Sequence, residues 1–320
     1  MKNLFLFLII VLAGFSNASA QNLITLQSSG VSTFYLKLPD AVTNAQDEDT
    51  IYIPGGSFDD ITIAKTLHLI GVGHDPDSTK ATLITFLPSV TFRTGSNGST
   101  LTGIRTNVLS VGSSDDEIKN VIISRCCILS CDIGTKCSNI SFVQNIISSV
   151  YGNGIAHDIS FNNNKIQSLG SFEYCSFRNN IILSIFYYNS VVSISVFENN
   201  YLGVPGYVHN SILYNNISYN GFNIESDNAG ANNLFNQATG SIFVKDDSSF
   251  DYANDYHLIP DCPGKNAGRD GTDIGIYGGA FPWKEGSIPA NPHFQSIKIN
   301  PATDTNGNLN VKIKVAAQDN

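Results

Sequence analysis

Five segments in the middle of the chain decide its fold: NISFVQNIISS (139–149), DISFNNNKIQS (158–168), YCSFRNNIILS (174–184), ISVFENNYLGV (194–204) and NSILYNNISYN (210–220). NVIISRCCILS (120–130) aligns with them. In the five, a large apolar residue is followed by two variable positions and then Asn. The Asn anchors are Asn145, Asn164, Asn180, Asn200 and Asn216, separated by 19, 16, 20 and 16 residues. A unit this short holds two or three strands and tight turns, with no room for a helix. It cannot bury an apolar face alone, so successive units must stack.

Alternation within the units gives the stacking direction. Phe142, Phe161, Phe177, Phe197 and Leu213 share one column, and Ile140, Ile159, Cys175, Ser195 and Ser211 lie two residues earlier. Period two puts both columns on one side of a strand. The Phe column is the expected core stack, repeating at about 4.8 Å. The Asn column falls where the strand turns, its amides placed to bond the equivalent amides one coil up and down as a structural ladder. Leucine-rich repeats also stack coils with a recurrent Asn, but their units run to about 20–29 residues with regular Leu. The shorter, Leu-poor units here predict an all-β parallel β-helix, a solenoid closed by Gly and Asn turns.

Composition agrees with that reading. Of 320 residues, 35 are Asn, 35 Ser and 27 Gly, yet 42% are hydrophobic, with 19 Phe and 13 Tyr. So much apolar content opposes disorder, and the Asn and Ser content opposes a helical bundle. A formal charge of -9 excludes a nucleic-acid partner held through phosphates. Met1-Lys2-Asn3, the apolar run Leu4 to Phe15 and Ala18-Ser19-Ala20 read as a signal peptide over 1–20, which predicts a secreted, extracellular or periplasmic protein. No later run is long enough to cross a bilayer as a helix, so no transmembrane segment is expected. The six cysteines, Cys126, Cys127, Cys131, Cys137, Cys175 and Cys262, are allowed to form disulfides in such a compartment. Their spacing is not that of a zinc site, and no metal centre is expected.

Two further stretches resemble a known family. Residues 40–73 read as a short amphipathic helix followed by DTIYIPGG, ITI and LHLIGVG. This is similar to the opening of right-handed parallel β-helix proteins of the pectin-lyase-like superfamily, where a helix caps the first coil. Residues 251–279, DYANDYHLIPDCPGKNAGRDGTDIGIYGG, resemble the closing segment of secreted bacterial members. The resemblance implies a right-handed β-helix over 21–279 with an N-terminal capping helix. Beyond it, the proline-bearing 280–293 reads as a linker or a lid over the last coil. The alternating runs of 294–320 around Asn306-Gly307 read as a C-terminal β-hairpin extension.

The resemblance implies polysaccharide chemistry on an outer sheet face, with Ca²⁺ or a Lys/Arg pair in lyases and paired Asp in hydrolases. No lyase motif of the family is matched residue by residue. The outward column beside the Phe stack is Val143, Asn162, Arg178, Glu198 and Tyr214. Arg178 and Glu198 are the catalytic candidates, an acid/base or uronate-binding pair, with a surface ion pair as the plain alternative. Asn162, Tyr187, Tyr188, Tyr201 and Tyr214 are the candidate ligand-binding residues, because tyrosine rings stack on sugars at low entropy cost. His157 and Asp158 are adjacent and could form a polar dyad, but on an extended chain they would point opposite ways, so a turn role is expected. The runs Asp115-Asp116-Glu117 and Asp246-Asp247 offer carboxylates to Ca²⁺, the one cofactor in view, and Asp270 and Asp273 read as turn residues. Charge is sparse at 14%. The expected function is therefore a secreted glycan-binding or scaffold module. The alternatives are a polysaccharide lyase and an adhesive protein that takes a protein partner.

Overall fold

A computed structural model describes residues 23–153, 157–185, 191–204, 207–219, 226–238, 240–246 and 250–317. The expected leader peptide, Tyr187, Tyr188 and Asp247 lie outside the described residues.

The repeats stack as expected. Among the described residues, parallel strands from Asp49–Tyr52 to Ala229–Ala231 form the body of a twelve-stranded first sheet, and an eleven-stranded second sheet runs beside it. Phe172–Glu173, Val191–Ser193 and Tyr207–His209 add a short third sheet in the middle coils. The chain is a parallel β-solenoid of about nine turns, with one α-helix among the described residues. That helix, Leu38–Asn44, begins with Pro39 in its first turn and buries Leu38, Ala41 and Val42 at the first coil. An antiparallel pair, Ile24–Ser28 and Val31–Tyr35, extends the first sheet beyond it and was not expected from the sequence.

The Phe column is in register coil by coil. Phe142, Phe161, Phe177 and Phe197 stack with ring centroids 4.9, 5.1 and 4.7 Å apart and planes within 13° of parallel. Offset stacking at the strand spacing lets identical rings fill the core without voids.

Two polar ladders close the corners. The backbone N–H of Asn145 donates to Asn164 Oδ1 at 2.9 Å, Asn164 to Asn180, Asn180 to Asn200, and Asn200 to Asn216. The ladder continues to Asn233 and begins with Cys126 N–H on Asn145 Oδ1. Each amide also donates to a backbone carbonyl, as Asn164 Nδ2 does to Phe142 O at 2.9 Å. All five anchors are fully buried, and this saturation is what makes their burial affordable. A second ladder was missed in the sequence: Cys175 N–H donates to Ser195 Oγ, Ser195 N–H to Ser211 Oγ, and Ser211 N–H to Asn228 Oδ1.

The residue before each Asn anchor, and before Cys126 at the head of the ladder, makes the turn. Arg125, Gln144, Asn163, Asn179, Asn199 and Asn215 have φ between 50° and 60°, the left-handed region that Asn tolerates best. Their side chains line up on one corner and hold the C-terminal segment, which runs back down the solenoid as a strap. Asn215 Nδ2 donates to Ala267 O at 2.9 Å, Asn199 Oδ1 accepts from Arg269 N–H at 2.8 Å, and Asn163 Nδ2 donates to Gly278 O at 2.7 Å. Gln144 Nε2 donates to Pro282 O at 2.7 Å, and Arg125 Nη1 to Ile288 O at 2.9 Å. Gly103, at φ +68°, leaves the space taken by Pro289, whose ring a Cβ there would meet at 2.2 Å. Residues 280–293 therefore do not cover the last coil; they lead back to the first ones. Beyond them, His293–Ile299 and Val311–Ala316 form the antiparallel hairpin.

All six cysteines are unpaired, and all but Cys127 are buried. Cys126, Cys131, Cys137 and Cys175 are small core residues of the coils, and Cys262 packs in the cover of the later ones.

Candidate functional site

The first sheet places the sequence candidates in the expected column: Val143, Asn162, Arg178, Glu198 and Tyr214 are neighbours in register. The chemistry differs from expectation. Glu198 Oε2 pairs with Arg269 Nη1 of the strap at 3.2 Å, and that guanidinium lies 5.0 Å from the Tyr214 ring centre. Among the described residues no ion pair joins Arg178 to Glu198. The strap, whose position no periodicity announces, supplies the closer cation. Tyr201 is not a surface ring. It is 3% exposed, packed edge-on against Phe243 and Tyr219 in a second core beneath the C-terminal segment.

His157 and Asp158 do meet, Nδ1 to Oδ2 at 2.8 Å, because Asp158 at φ 57° turns rather than extends the chain. In the first acidic run Asp116 is occupied with structure. Asp116 accepts from Thr94 N–H and Oγ1 on one oxygen and from Ser113 N–H, Ser113 Oγ and Arg93 Nη1 on the other, at 2.8–3.0 Å. These donors, the Thr94 N–H foremost, hold its carboxyl well below the usual range. Asp270 and Asp273 cap turns, taking Thr272 N–H and Asn266 N–H. No group of three or more His, Cys, Asp or Glu that could hold a metal occurs among the described residues.

A different face carries the hollow. On the second sheet the residue after each anchor points outward, giving the in-register column Phe86, Arg105, Cys127, Ile146, Lys165, Ile181, Tyr201 and Ile217. From Ile181 onward the column is apolar and covered by Ile242, Phe243, Tyr256, Ile274 and Ile276. Toward the first coils the cover lifts and leaves a cleft. Its wider part, about 720 Å³, lies between Phe86, Arg105 and Asn107 on the floor and Pro76, Thr79, Lys80 and Leu83 on one wall. It continues past Arg105 over Cys127, Leu129, Ile146 and Ser148, where Phe250, Asp251 and Tyr252 form the other wall.

Buried polar groups fix that second wall. Tyr252 Oη donates to His74 O at 2.9 Å, so the 2.8 Å contact with His74 Nδ1 is a bond donated by the imidazole. His74 is fully buried, and burial pushes its pKa down to about 3, so it is neutral. At the inner end, the Lys165 ammonium bonds Tyr256 Oη and lies 4.8 Å from the Phe250 ring centre. Burial lowers its pKa to about 8, against the opposing pull of Asp246 and Asp251. Arg105 is exposed on the cleft floor and has no ion-pair partner among the described residues.

The missed site was partly encoded in its column. Outward-pointing Ile181, Tyr201 and Ile217 signal that this part of the face is covered, since three large apolar side chains on successive coils do not face water. Compared with protein-family models and with curated proteins, the chain matches none.

Proposed function

We propose that this protein is a secreted module of the right-handed, pectin-lyase-like type that binds an extended anionic polysaccharide along the cleft of its second sheet. The observation that carries the reading is Arg105, a guanidinium without an ion-pair partner among the described residues of a chain of net charge -9, on a cleft floor between Lys80 and the Tyr252 wall. A guanidinium is suited to bidentate capture of a carboxylate or sulfate, and Phe86, Phe250 and Tyr252 supply faces for sugar rings. The coils repeat at about 4.8 Å, so an elongated ligand lying along the axis meets a fresh set of side chains at every turn.

Calorimetric titration with polygalacturonate, alginate and chondroitin sulfate tests this. Binding that weakens with salt and falls at least about tenfold in Arg105→Ala is the expected result. No binding to any of them, or to a broad glycan array, removes the reading. Lyase chemistry is the second reading, favoured by Lys165, whose lowered pKa suits a base. Lys165 is 2% exposed and screened by Phe250 and Tyr256, which favours binding over proton abstraction. Appearance of unsaturated uronate absorbance, lost in Lys165→Met, would reverse that preference.

A further inference from the structure

Among the described residues, the hairpin of His293–Ile299 and Val311–Ala316 pairs with no other strand. Register brings Phe294 opposite Val315, Ile297 opposite Ile313, and Ile299 opposite Val311. These six side chains share one face and are 42–61% exposed. Lys298, facing Lys312, and Lys314 occupy the other face. A two-stranded hairpin with a bare apolar face is marginal in water and gains stability when that face is covered.

We propose that the protein self-associates through this hairpin, the apolar faces of two copies packing together about a two-fold axis. Three observations select a second copy as the occupant. The face carries no charge, so like faces meet without repulsion, and face-to-face packing directs Lys298, Lys312 and Lys314 of both copies outward. An acidic partner would be drawn to the lysine face instead, leaving the apolar one bare. The area is also sufficient: half-exposed, the six side chains offer on the order of 500 Å² per copy, so a pair removes about 1,000 Å² from water, the threshold for a specific interface. Leu23 and Thr25 line a hollow together with His293 and Phe294, which places the hairpin beside the first strand. A two-fold interface is self-complementary by construction.

Sedimentation equilibrium of the full chain between about 1 and 100 µM tests this. The expected result is a concentration-dependent doubling of the 34.6 kDa mass. Ile297→Lys/Ile313→Lys should be monomeric throughout while keeping the wild-type circular dichroism and melting curve of the solenoid. Lys298→Glu/Lys312→Glu, which alters only the outward face, should still dimerise. A wild-type chain that stays monomeric at the top concentration overturns the proposal. So does a dimer as tight in the double-lysine variant as in the wild type, or one lost only when the outward lysines are reversed.

Discussion

Adjacent asparagines do different work in this chain. In the pair Asn163-Asn164 the first adopts φ 54° and reaches out to the strap, while the second points inward and joins the ladder. Replacing Asn164 with Ala leaves Asn145 N–H without its acceptor and takes one donor from Phe142 O in a buried corner. The expected cost is about 2–4 kcal/mol, read as a lower denaturant midpoint. Replacing Asn163 with Gly keeps the turn and should cost less, because only the strap bonds are lost. Lys165 gives a pH signature at the same scale. Its folded pKa of about 8 lies below the ordinary lysine value of 10.5, so between those values the unfolded chain binds more protons than the folded one. Its contribution to stability therefore rises with pH across that window. Denaturation midpoints at pH 7.5, 9 and 10.5 should climb more in the wild type than in Lys165→Met.

At the scale of elements, the strap is the part that sequence periodicity does not reach. The stacked strands were legible because Phe142, Phe161, Phe177 and Phe197 repeat with the coil, and the ladder because Asn recurs with them. The strap makes its bonds through irregularly placed carbonyls at Ala267, Ile276, Gly278, Pro282 and Ile288, and backbone acceptors leave no mark on residue identity. Arg269, which takes Glu198 from Arg178, arrives on the same segment, so the candidate pair on the first sheet could not be judged from the column alone. The cleft was hidden for a related reason. Arg105 and Lys165 stand in one column, but His74 and Tyr252 are 178 residues apart and meet only because the chain doubles back. Substituting Gln144 and Asn163 together by Ala should loosen the strap locally. Hydrogen exchange at Gly275, Gly278 and Trp283 is expected to speed up while the ladder amides at Asn164 and Asn180 keep their protection.

At the scale of the whole molecule, the returning segment changes what kind of solenoid this is. A simple stack is held by neighbour contacts and frays from its ends. Here the second core joins Ile181, Tyr201 and Ile217 on successive coils to Tyr256, Ile274 and Ile276 of one continuous segment, so the later coils share a common cover. A chain truncated after Asp246 would expose that row, and it is expected to aggregate or to sediment as large species where the full chain does not.

The return path also decides how the molecule bears load. Because the strap carries the C-terminal hairpin back beside Leu23 and Thr25, both ends of the folded chain emerge from the same pole of the rod. Tension applied between them does not pull the coils apart along the axis. It peels the strap away from the first coils, starting at Arg125 and Gln144 and loading their hydrogen bonds one after another. The stacked coils remain out of the line of force until that seam has opened.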